Sequence, residues 1–181
     1  IPTGYTNVEW TELSTGAYAI YDDYPFNEES YGNLYNWYAV DDERGLCPEG
    51  WHVPSDDEIM QLEMYLGMGQ IDPEMPGVIG TNEGGMLKEG GLVYWLTEIC
   101  GEPECPNEST GCNCSGFSAL AGGYRDSNGE YQNIDYWGLF WSSTELNIDN
   151  AWNRTLKHSN PEILRGIENK KRGFSVRCIK D

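Results

Sequence analysis

Basic residues are scarce in this chain of 181 residues, which has 11 lysines and arginines against 30 aspartates and glutamates. The formal net charge is therefore −19 at pH 7. Proteins bind nucleic acids and anionic membrane surfaces largely through lysine and arginine, so neither polyanion is expected as a partner. Most of the acidic side chains are expected to form a solvated surface that keeps the protein soluble.

Long hydrophobic runs are also missing, because no segment approaches the roughly 18 consecutive apolar residues of a membrane-spanning helix. Insertion of this domain into a membrane is therefore not expected. Hydrophobic residues still make up 39% of the chain and aromatic residues 13%, which is enough for one sizeable core. Since no change of composition marks a second unit, we predict a single domain over residues 1–181.

One helix has clear signals at both of its ends. Ser55 and Glu58 have the spacing of a capping box, in which each side chain satisfies a backbone N–H of the other residue. Apolar residues then recur along one face as far as Leu66, and Gly67 follows as a C-terminal cap. The pattern predicts an amphipathic helix over about residues 56–66.

The C-terminal half of the chain favours β-structure. Asn128 and Gly129 form a dipeptide typical of tight hairpin turns whose two central residues both have positive φ. The segments 139–145, 151–158 and 173–181 have the composition of further strands. Together with the helix, these strands predict an α+β fold.

The chain has an even number of cysteines, which are Cys47, Cys100, Cys105, Cys112, Cys114 and Cys178. Four of them lie close together in a loop-like segment, which favours disulfides and an oxidising, extracellular location. A four-thiolate zinc site is the alternative, although the spacing lacks paired C-x2-C units. Two disulfides that span the loop are preferred, and two pairings of the four cysteines remain open.

Six sequence blocks carry a family resemblance: YGNLYNWYAV, LCPEGWHVPSDDEI, GGMLKEGG, SGFSALAGGYRDSNGEY, WSSTE and GFSVRCIKD. In order and spacing, the chain resembles the Fibrobacter succinogenes major paralogous domain family from about residue 16 to 181, with residues 1–15 as an N-terminal lead-in. The resemblance implies a secreted or surface-anchored protein. It also implies a C-type-lectin-like fold, similar to the formylglycine-generating-enzyme group, with one main helix on antiparallel strands and long irregular loops.

The resemblance also implies a disulfide between Cys47 and Cys178, because lectin-like folds connect the region of the first helix to the last strand. Trp51 and Val53, which follow Cys47, are then expected to insert into the core. His52 has the chemistry of a general base, but no nucleophile pattern accompanies it, so a hydrogen-bonded core imidazole is expected instead.

The ligand face of lectin-like folds lies where loops meet strands, and this resemblance supplies a set of candidate residues. Aromatic rings there would stack on sugars, while charged side chains would bind hydroxyl groups. The alternative for Arg125 and Arg154 is burial against carboxylates. The predicted ligand-binding residues are Tyr124, Arg125, Trp137, Glu145, Trp152 and Arg154.

These observations predict a non-enzymatic cell-surface recognition or adhesion module that binds a polysaccharide, a glycoconjugate or a surface protein. The alternative is a structural module of a surface appendage or adhesin that contacts other protein copies, including copies of itself. No nucleophile, base and orienting partner occur together, so no catalytic residue is assigned. No cofactor is expected, apart from structural calcium as a candidate in the acidic loops at Asp22, Asp23, Asp41 and Asp42.

Overall fold

The structure is a computed structural model that describes residues 1–72, 74–90, 94–95 and 113–181. Its short helices are α1 (Asn7–Thr11), a 3-10 helix (Tyr21–Asp23), α2 (Pro25–Tyr31), α3 (Trp37–Val40), α4 (Asp56–Tyr65) and α5 (Glu83–Leu87). Its strands are β1 (Tyr18–Ala19), β2 (Leu34–Tyr35), β3 (Trp51–His52), β4 (Gly77–Ile79), β5 (Gly122–Arg125), β6 (Tyr131–Ile134), β7 (Trp137–Glu145), β8 (Asn150–Lys157), β9 (Ile163–Asn169) and β10 (Ile179–Lys180). The predicted α+β class is confirmed.

A six-stranded sheet in the order β4-β9-β8-β7-β5-β6 forms the centre of the fold. Its strands are antiparallel except for the contact between β5 and β7. Alternate residues of β7 enter two different core clusters, because successive side chains of a strand point to opposite faces. Leu139 packs with Trp37 and Phe174, whereas Phe140 packs with a cluster that contains Trp95.

Helix α4 begins and ends where the sequence predicts. The Ser55 hydroxyl accepts the N–H of Glu58, and the Glu58 carboxylate accepts the N–H of Ser55, which completes the capping box. The buried face of α4 nevertheless differs from a purely apolar stripe. Alongside Ile59 and Met60 it carries two carboxylates, Asp56 and Glu63.

The predicted hairpin at Asn128 and Gly129 is confirmed, but the predicted turn type is wrong. Of these two residues, only Gly129 has a positive φ, which is 87°. Its N–H donates to the carbonyl of Asp126 at 2.9 Å, and the N–H of Asp126 donates to the carbonyl of Glu130 at 2.7 Å. The connection is therefore a longer turn that a left-handed glycine closes, which is the next most common way to join two strands.

The disulfide between Cys47 and Cys178 is confirmed, with the two Cα atoms 5.8 Å apart. Val53 is buried as expected, but Trp51 is 45% exposed, so its predicted insertion into the core is wrong. The reason is that β3 pairs only with β10, in a two-stranded ribbon separate from the central sheet. His52 is likewise partly exposed rather than a core residue.

Cys114 is also disulfide-bonded. The other cysteines of the loop-like segment, Cys100, Cys105 and Cys112, lie outside the described residues, so their pairing stays a prediction.

Candidate ligand-binding face

Two of the predicted ligand-binding aromatics lie together on the central sheet. The ring centroids of Tyr124 and Trp137 are 6.2 Å apart, with an interplanar angle of 21°. The Lys157 ammonium lies 4.5 Å from the centroid of Trp137, and the Arg172 guanidinium carbon lies 5.7 Å from that of Tyr124. We call these four residues the aromatic row. Each of them keeps part of its surface exposed.

Strand pairing brings the aromatic row together. Trp137 is the first residue of β7 and is the register partner of Lys157 on β8. On the other side of β7, Gly123 pairs with Gly138, which places Tyr124 beside Trp137. Residues in register on neighbouring strands share one face of the sheet, so their side chains meet although they are distant in sequence.

The two ends of the aromatic row differ in charge. The guanidinium group of Arg172 forms ion pairs with the carboxylates of Glu168, at 2.6 Å, and Asp126, at 3.0 Å. Burial raises the pKa of both Glu168 and Tyr124. At the other end, no carboxylate in the part of the chain that the structure describes forms an ion pair with Lys157. Tyr124 and Trp137 also pack against the core cluster that contains Leu139 and Phe174. The row therefore offers the exposed part of these two rings, hydrogen-bond acceptors at one end and an ammonium donor at the other.

Trp152 and Arg154 lie in the interior rather than on the aromatic row. Arg154 contacts both oxygens of Glu63, at 2.6 and 3.0 Å, and one oxygen of Asp56 at 2.5 Å. Arg165 binds the other oxygen of Asp56 and covers the ring of Trp152. These five side chains are all buried, so Arg154 follows the alternative of burial against carboxylates and Trp152 presents no open ring face.

Arg125 is also buried, but its hydrogen bonds go to two backbone carbonyls and the side-chain oxygen of Asn7 and not to a carboxylate. Its Nε donates to the carbonyl of Gly129 at 2.9 Å, and one terminal nitrogen donates to the carbonyl of Tyr5 at 2.8 Å. Its guanidinium carbon lies 4.4 Å from the ring centroid of Trp10. Arg125 therefore joins the N-terminal segment to the hairpin and is not placed to meet a ligand.

Glu145 is exposed at the end of β7 and does not belong to the aromatic row. Its carboxylate lies 2.6 Å from the ammonium of Lys170, which in turn lies over the ring of Trp37 at 4.4 Å. Of the six predicted ligand-binding residues, the structure therefore brings only Tyr124 and Trp137 together.

A second aromatic pair, which the sequence reading missed, lies on the N-terminal half of the chain. Tyr24 and Phe26 are 59% and 61% exposed, and their ring centroids are 6.2 Å apart. In the sequence, the signal for this pair is two large aromatic residues next to the acidic residues Asp22 and Asp23. The segment that carries these residues is not a plain loop, because it contains the 3-10 helix and most of α2.

A cavity of about 510 Å³ is lined by residues of the segments 67–72 and 75–83. Met68, Ile71 and Val78 supply apolar surface, and Glu83 supplies a carboxylate. One oxygen of that carboxylate already accepts the N–H groups of Thr81 and Asn82. None of the predicted ligand-binding residues lines this cavity, so it is a weaker candidate than the aromatic row.

No group of three or more His, Cys, Asp or Glu side chains within the described ranges is arranged to hold a metal ion. The same residues include no helix with the length and hydropathy needed to cross a bilayer.

A disulfide-linked α+β domain with a partly exposed aromatic row on its central sheet is the class of protein that these features define. The family model of the Fibrobacter succinogenes major domain matches residues 3–180, so the chain belongs to that family. The match includes most of the N-terminal lead-in that the sequence blocks left outside the resemblance. No curated protein and no solved structure matches the chain.

Proposed function

We propose that this protein is a non-enzymatic extracellular recognition module that binds a polysaccharide or glycoconjugate through the aromatic row. A C-type-lectin-like fold and a location on the cell surface are part of this proposal. The observation that carries it is the side-by-side placement of Tyr124 and Trp137 on a partly exposed sheet face. The disulfide between Cys47 and Cys178 supports an oxidising compartment.

The chemistry of the aromatic row suits a sugar. Tyr and Trp rings combine a large apolar surface with a polar group, so they can pack on the C–H surface of a pyranose ring. The ammonium of Lys157 can donate to sugar hydroxyls, and the carboxylates of Glu168 and Asp126 can accept from them. A few polar groups around an apolar surface are the usual composition of a ligand site.

The environment of His52 supports a non-enzymatic role. His52 lies between two carboxylates, 2.7 Å from Asp181 and 3.0 Å from Glu58. Among the described residues, no hydroxyl or thiol nucleophile forms a hydrogen bond with its ring. Because a carboxylate occupies each ring nitrogen, His52 suits the role of a structural imidazole better than that of a general base.

The test is binding of the purified protein to a panel of soluble and insoluble polysaccharides, with and without chelator. We expect saturable binding that Trp137→Ala weakens by about tenfold or more. Lys157→Gln, which leaves the core unchanged, should weaken it by a smaller factor. Trp51→Ala is the matched control, because Trp51 is a partly exposed tryptophan on the separate ribbon of β3 and β10.

Melting temperatures of all variants separate lost binding from lost folding. Full binding by folded Trp137→Ala and Lys157→Gln proteins would contradict the role of the aromatic row. Absence of binding to every polysaccharide would contradict glycan recognition itself. Loss of binding with chelator would add a metal ion to the site.

A structural module that contacts other protein copies is the second candidate, and one observation favours it. Strand β4 is at the edge of the six-stranded sheet, and its central residue Val78 is 65% exposed. Open sheet edges can pair with a strand of another chain. Light scattering should then show self-association at modest concentration, and Val78→Lys should abolish it.

A further inference from the structure

We propose that Tyr24 and Phe26 form a second sugar-binding site, and that the glycan bound by this protein is neutral rather than acidic. This inference rests on the proposed function for the nature of the ligand. It adds a site outside the aromatic row and a chemical class of sugar.

Tyr24 and Phe26 present large exposed ring surfaces. Their rings are inclined at 41° to each other, and both residues keep more than half of their surface in solvent. Tyr24 precedes α2 and Phe26 lies in its first turn, after Pro25. Because α2 buries none of its residues, the pair is not the edge of a core cluster. Two large exposed aromatics at this distance indicate a contact surface.

The backbone that supports the pair has an uncommon conformation. Asp22 and Asp23 are consecutive residues with φ values of 54° and 51°. L-residues visit this left-handed region rarely, and then usually one at a time. Such a conformation persists only where the surrounding structure holds it, and such places cluster at ligand sites.

Several hydrogen bonds hold this backbone in place. The N–H of Asp23 donates to the carbonyl of Ile20 at 2.9 Å, and the Tyr131 hydroxyl donates to the carboxylate of Asp23 at 3.0 Å. The side-chain amide of Asn27 donates to the carbonyl of Tyr21 at 2.9 Å. The backbone on either side of Tyr24 and Phe26 is therefore held in place before a ligand arrives, which reduces the ordering cost of binding.

The charge around the pair selects the kind of sugar. Asp22 is exposed and forms no hydrogen bond or ion pair within the described ranges, and Glu28 and Glu29 follow on α2. The segment 20–35 contains no basic residue, and the whole chain has a net charge of −19. Carboxylates accept hydrogen bonds from sugar hydroxyls, but they repel the carboxylates or sulfates of acidic glycans. A neutral hydroxyl-rich glycan fits this surface.

Both sites depend on the same hairpin, since Tyr131 on β6 holds Asp23 and Tyr124 on β5 belongs to the aromatic row. Tyr131 is the register partner of Arg125, so its side chain points to the opposite face of the hairpin from that of Tyr124. The two sites are therefore separate contact surfaces.

The experiment compares the double variant Tyr24→Ala, Phe26→Ala with Trp137→Ala, Asp22→Asn and the control Tyr65→Ala. Tyr65 is 87% exposed at the end of α4, so its removal tests the loss of an exposed ring elsewhere. The probes are a neutral β-glucan as polymer and as short oligosaccharides, polygalacturonate as the acidic glycan, and polylysine as a basic polymer. Affinity is measured at low salt, together with the melting temperature of each variant.

We expect the double variant to bind the glucan polymer about tenfold more weakly than the wild type, with an unchanged melting temperature. Asp22→Asn should weaken binding by a smaller factor, because asparagine keeps the left-handed backbone and loses the charged acceptor. Tyr65→Ala should bind like the wild type. Polygalacturonate should not bind at low salt.

The possible results separate this inference from the proposed function. Wild-type binding by the double variant, with loss only in Trp137→Ala, would overturn the second site and leave the aromatic row in place. Loss in the double variant alone would support the second site and overturn the row. Stronger binding of polygalacturonate than of glucan would overturn the charge argument. Polylysine binding that needs Tyr24 and Phe26, without glucan binding, would overturn the sugar in favour of a basic partner.

Discussion

Arg165 lies over the ring of Trp152, with its guanidinium carbon 3.7 Å from the ring centroid, and binds Asp56 from that position. Asp56 in turn contacts Arg154, which binds Glu63. Among the described residues, two guanidinium groups and two carboxylates thus form a buried network whose formal charges cancel, although burial raises the pKa of Glu63. Burial opposes the charge of Asp56, but the two arginines outweigh it and hold the pKa of this carboxyl below its usual range.

Glu63→Ala should destabilise the protein by about 3–5 kcal/mol, because among the described residues it leaves Arg154 and Arg165 buried with the single carboxylate of Asp56 between them. The free energy of unfolding, measured with urea, checks this value. Glu29→Ala is the matched control, since Glu29 is exposed on α2 and should change stability little. A decrease of less than about 1 kcal/mol in the unfolding free energy of Glu63→Ala would show that solvent screens the charges of the network despite their burial.

The double variant Glu63→Leu, Arg154→Met tests the same network by replacing both partners of an ion pair with apolar side chains. It removes one positive and one negative charge and leaves Asp56 with Arg165. Because a buried ion pair is often no more stable than apolar side chains of similar volume, the double variant should lose less stability than Glu63→Ala. An equal or greater loss would indicate that the charges themselves determine the packing of α4 on the sheet.

Cys47→Ser together with Cys178→Ser should destabilise the protein by up to about 4–5 kcal/mol, because the disulfide closes a long loop in the unfolded chain. The sequence separation of the two cysteines is 131 residues. Denaturation of the double serine variant against the wild type measures the effect. A loss near zero would mean that the ribbon of β3 and β10 and the capping of α4 already hold the two ends together.

His52 should make stability depend on pH near neutrality. Hydrogen bonds to Asp181 and Glu58 raise the pKa of His52 above its usual value. Since the folded pKa exceeds the unfolded one, this contribution is complete below the unfolded pKa of about 6.5 and is lost as the pH rises through the folded pKa. Proton NMR of the imidazole gives the folded pKa directly. A titration midpoint at or below 6.5 would contradict the prediction.

The variant His52→Gln is the control for the contribution of His52 to the pH dependence of stability. This variant removes the titrating group, so its melting temperature should vary less with pH between about 6 and 8 than that of the wild type. An identical pH dependence in the two proteins would assign the effect to other groups.

Gly129→Ala should cost more stability than an ordinary glycine substitution in the left-handed region. A Cβ at Gly129 would lie 2.5 Å from the Cα and carbonyl oxygen of Asn7, so the N-terminal segment would have to move. Gly45→Ala is the control, because Gly45 has a similar φ of 74° and no atom within 4 Å of the added Cβ. We expect the difference in unfolding free energy to be about 1–3 kcal/mol. Equal losses of unfolding free energy in the two variants would show that the left-handed backbone conformation, and not the contact with Asn7, causes the destabilisation.

Features with local signals were predictable from the sequence. Helix α4 follows from Ser55 and Glu58, and the hairpin follows from the dipeptide at Asn128 and Gly129, since both depend on residues a few positions apart. The disulfide between Cys47 and Cys178 was predictable only through the family resemblance. Sequence spacing alone does not say which two of six cysteines meet.

The buried charges were not predictable in the same way. Asp56 and Glu63 flank Ile59 and Met60 on one face of α4, and that spacing is the signal that would have marked them as core residues. The sequence pattern does not predict strand β9, because Arg165, Gly166 and Glu168 interrupt its apolar residues. The partners that make these polar residues acceptable inside the protein lie on other elements, so only the folded arrangement reveals them.

The burial of basic residues has a consequence for encounters between molecules. Among the residues that the structure describes, Lys88, Arg125, Arg154, Arg165 and Lys170 are buried, and these are five of the eleven bases in the chain. Three carboxylates, Asp56, Glu63 and Glu83, are buried as well, so the buried bases of the described residues exceed the buried acids by two and the outer shell is slightly more anionic than the net charge of −19. Two molecules in solution behave as like-charged colloidal particles whose repulsion extends about 8 Å at physiological ionic strength. Dissolved salt thus sets how closely two copies can approach.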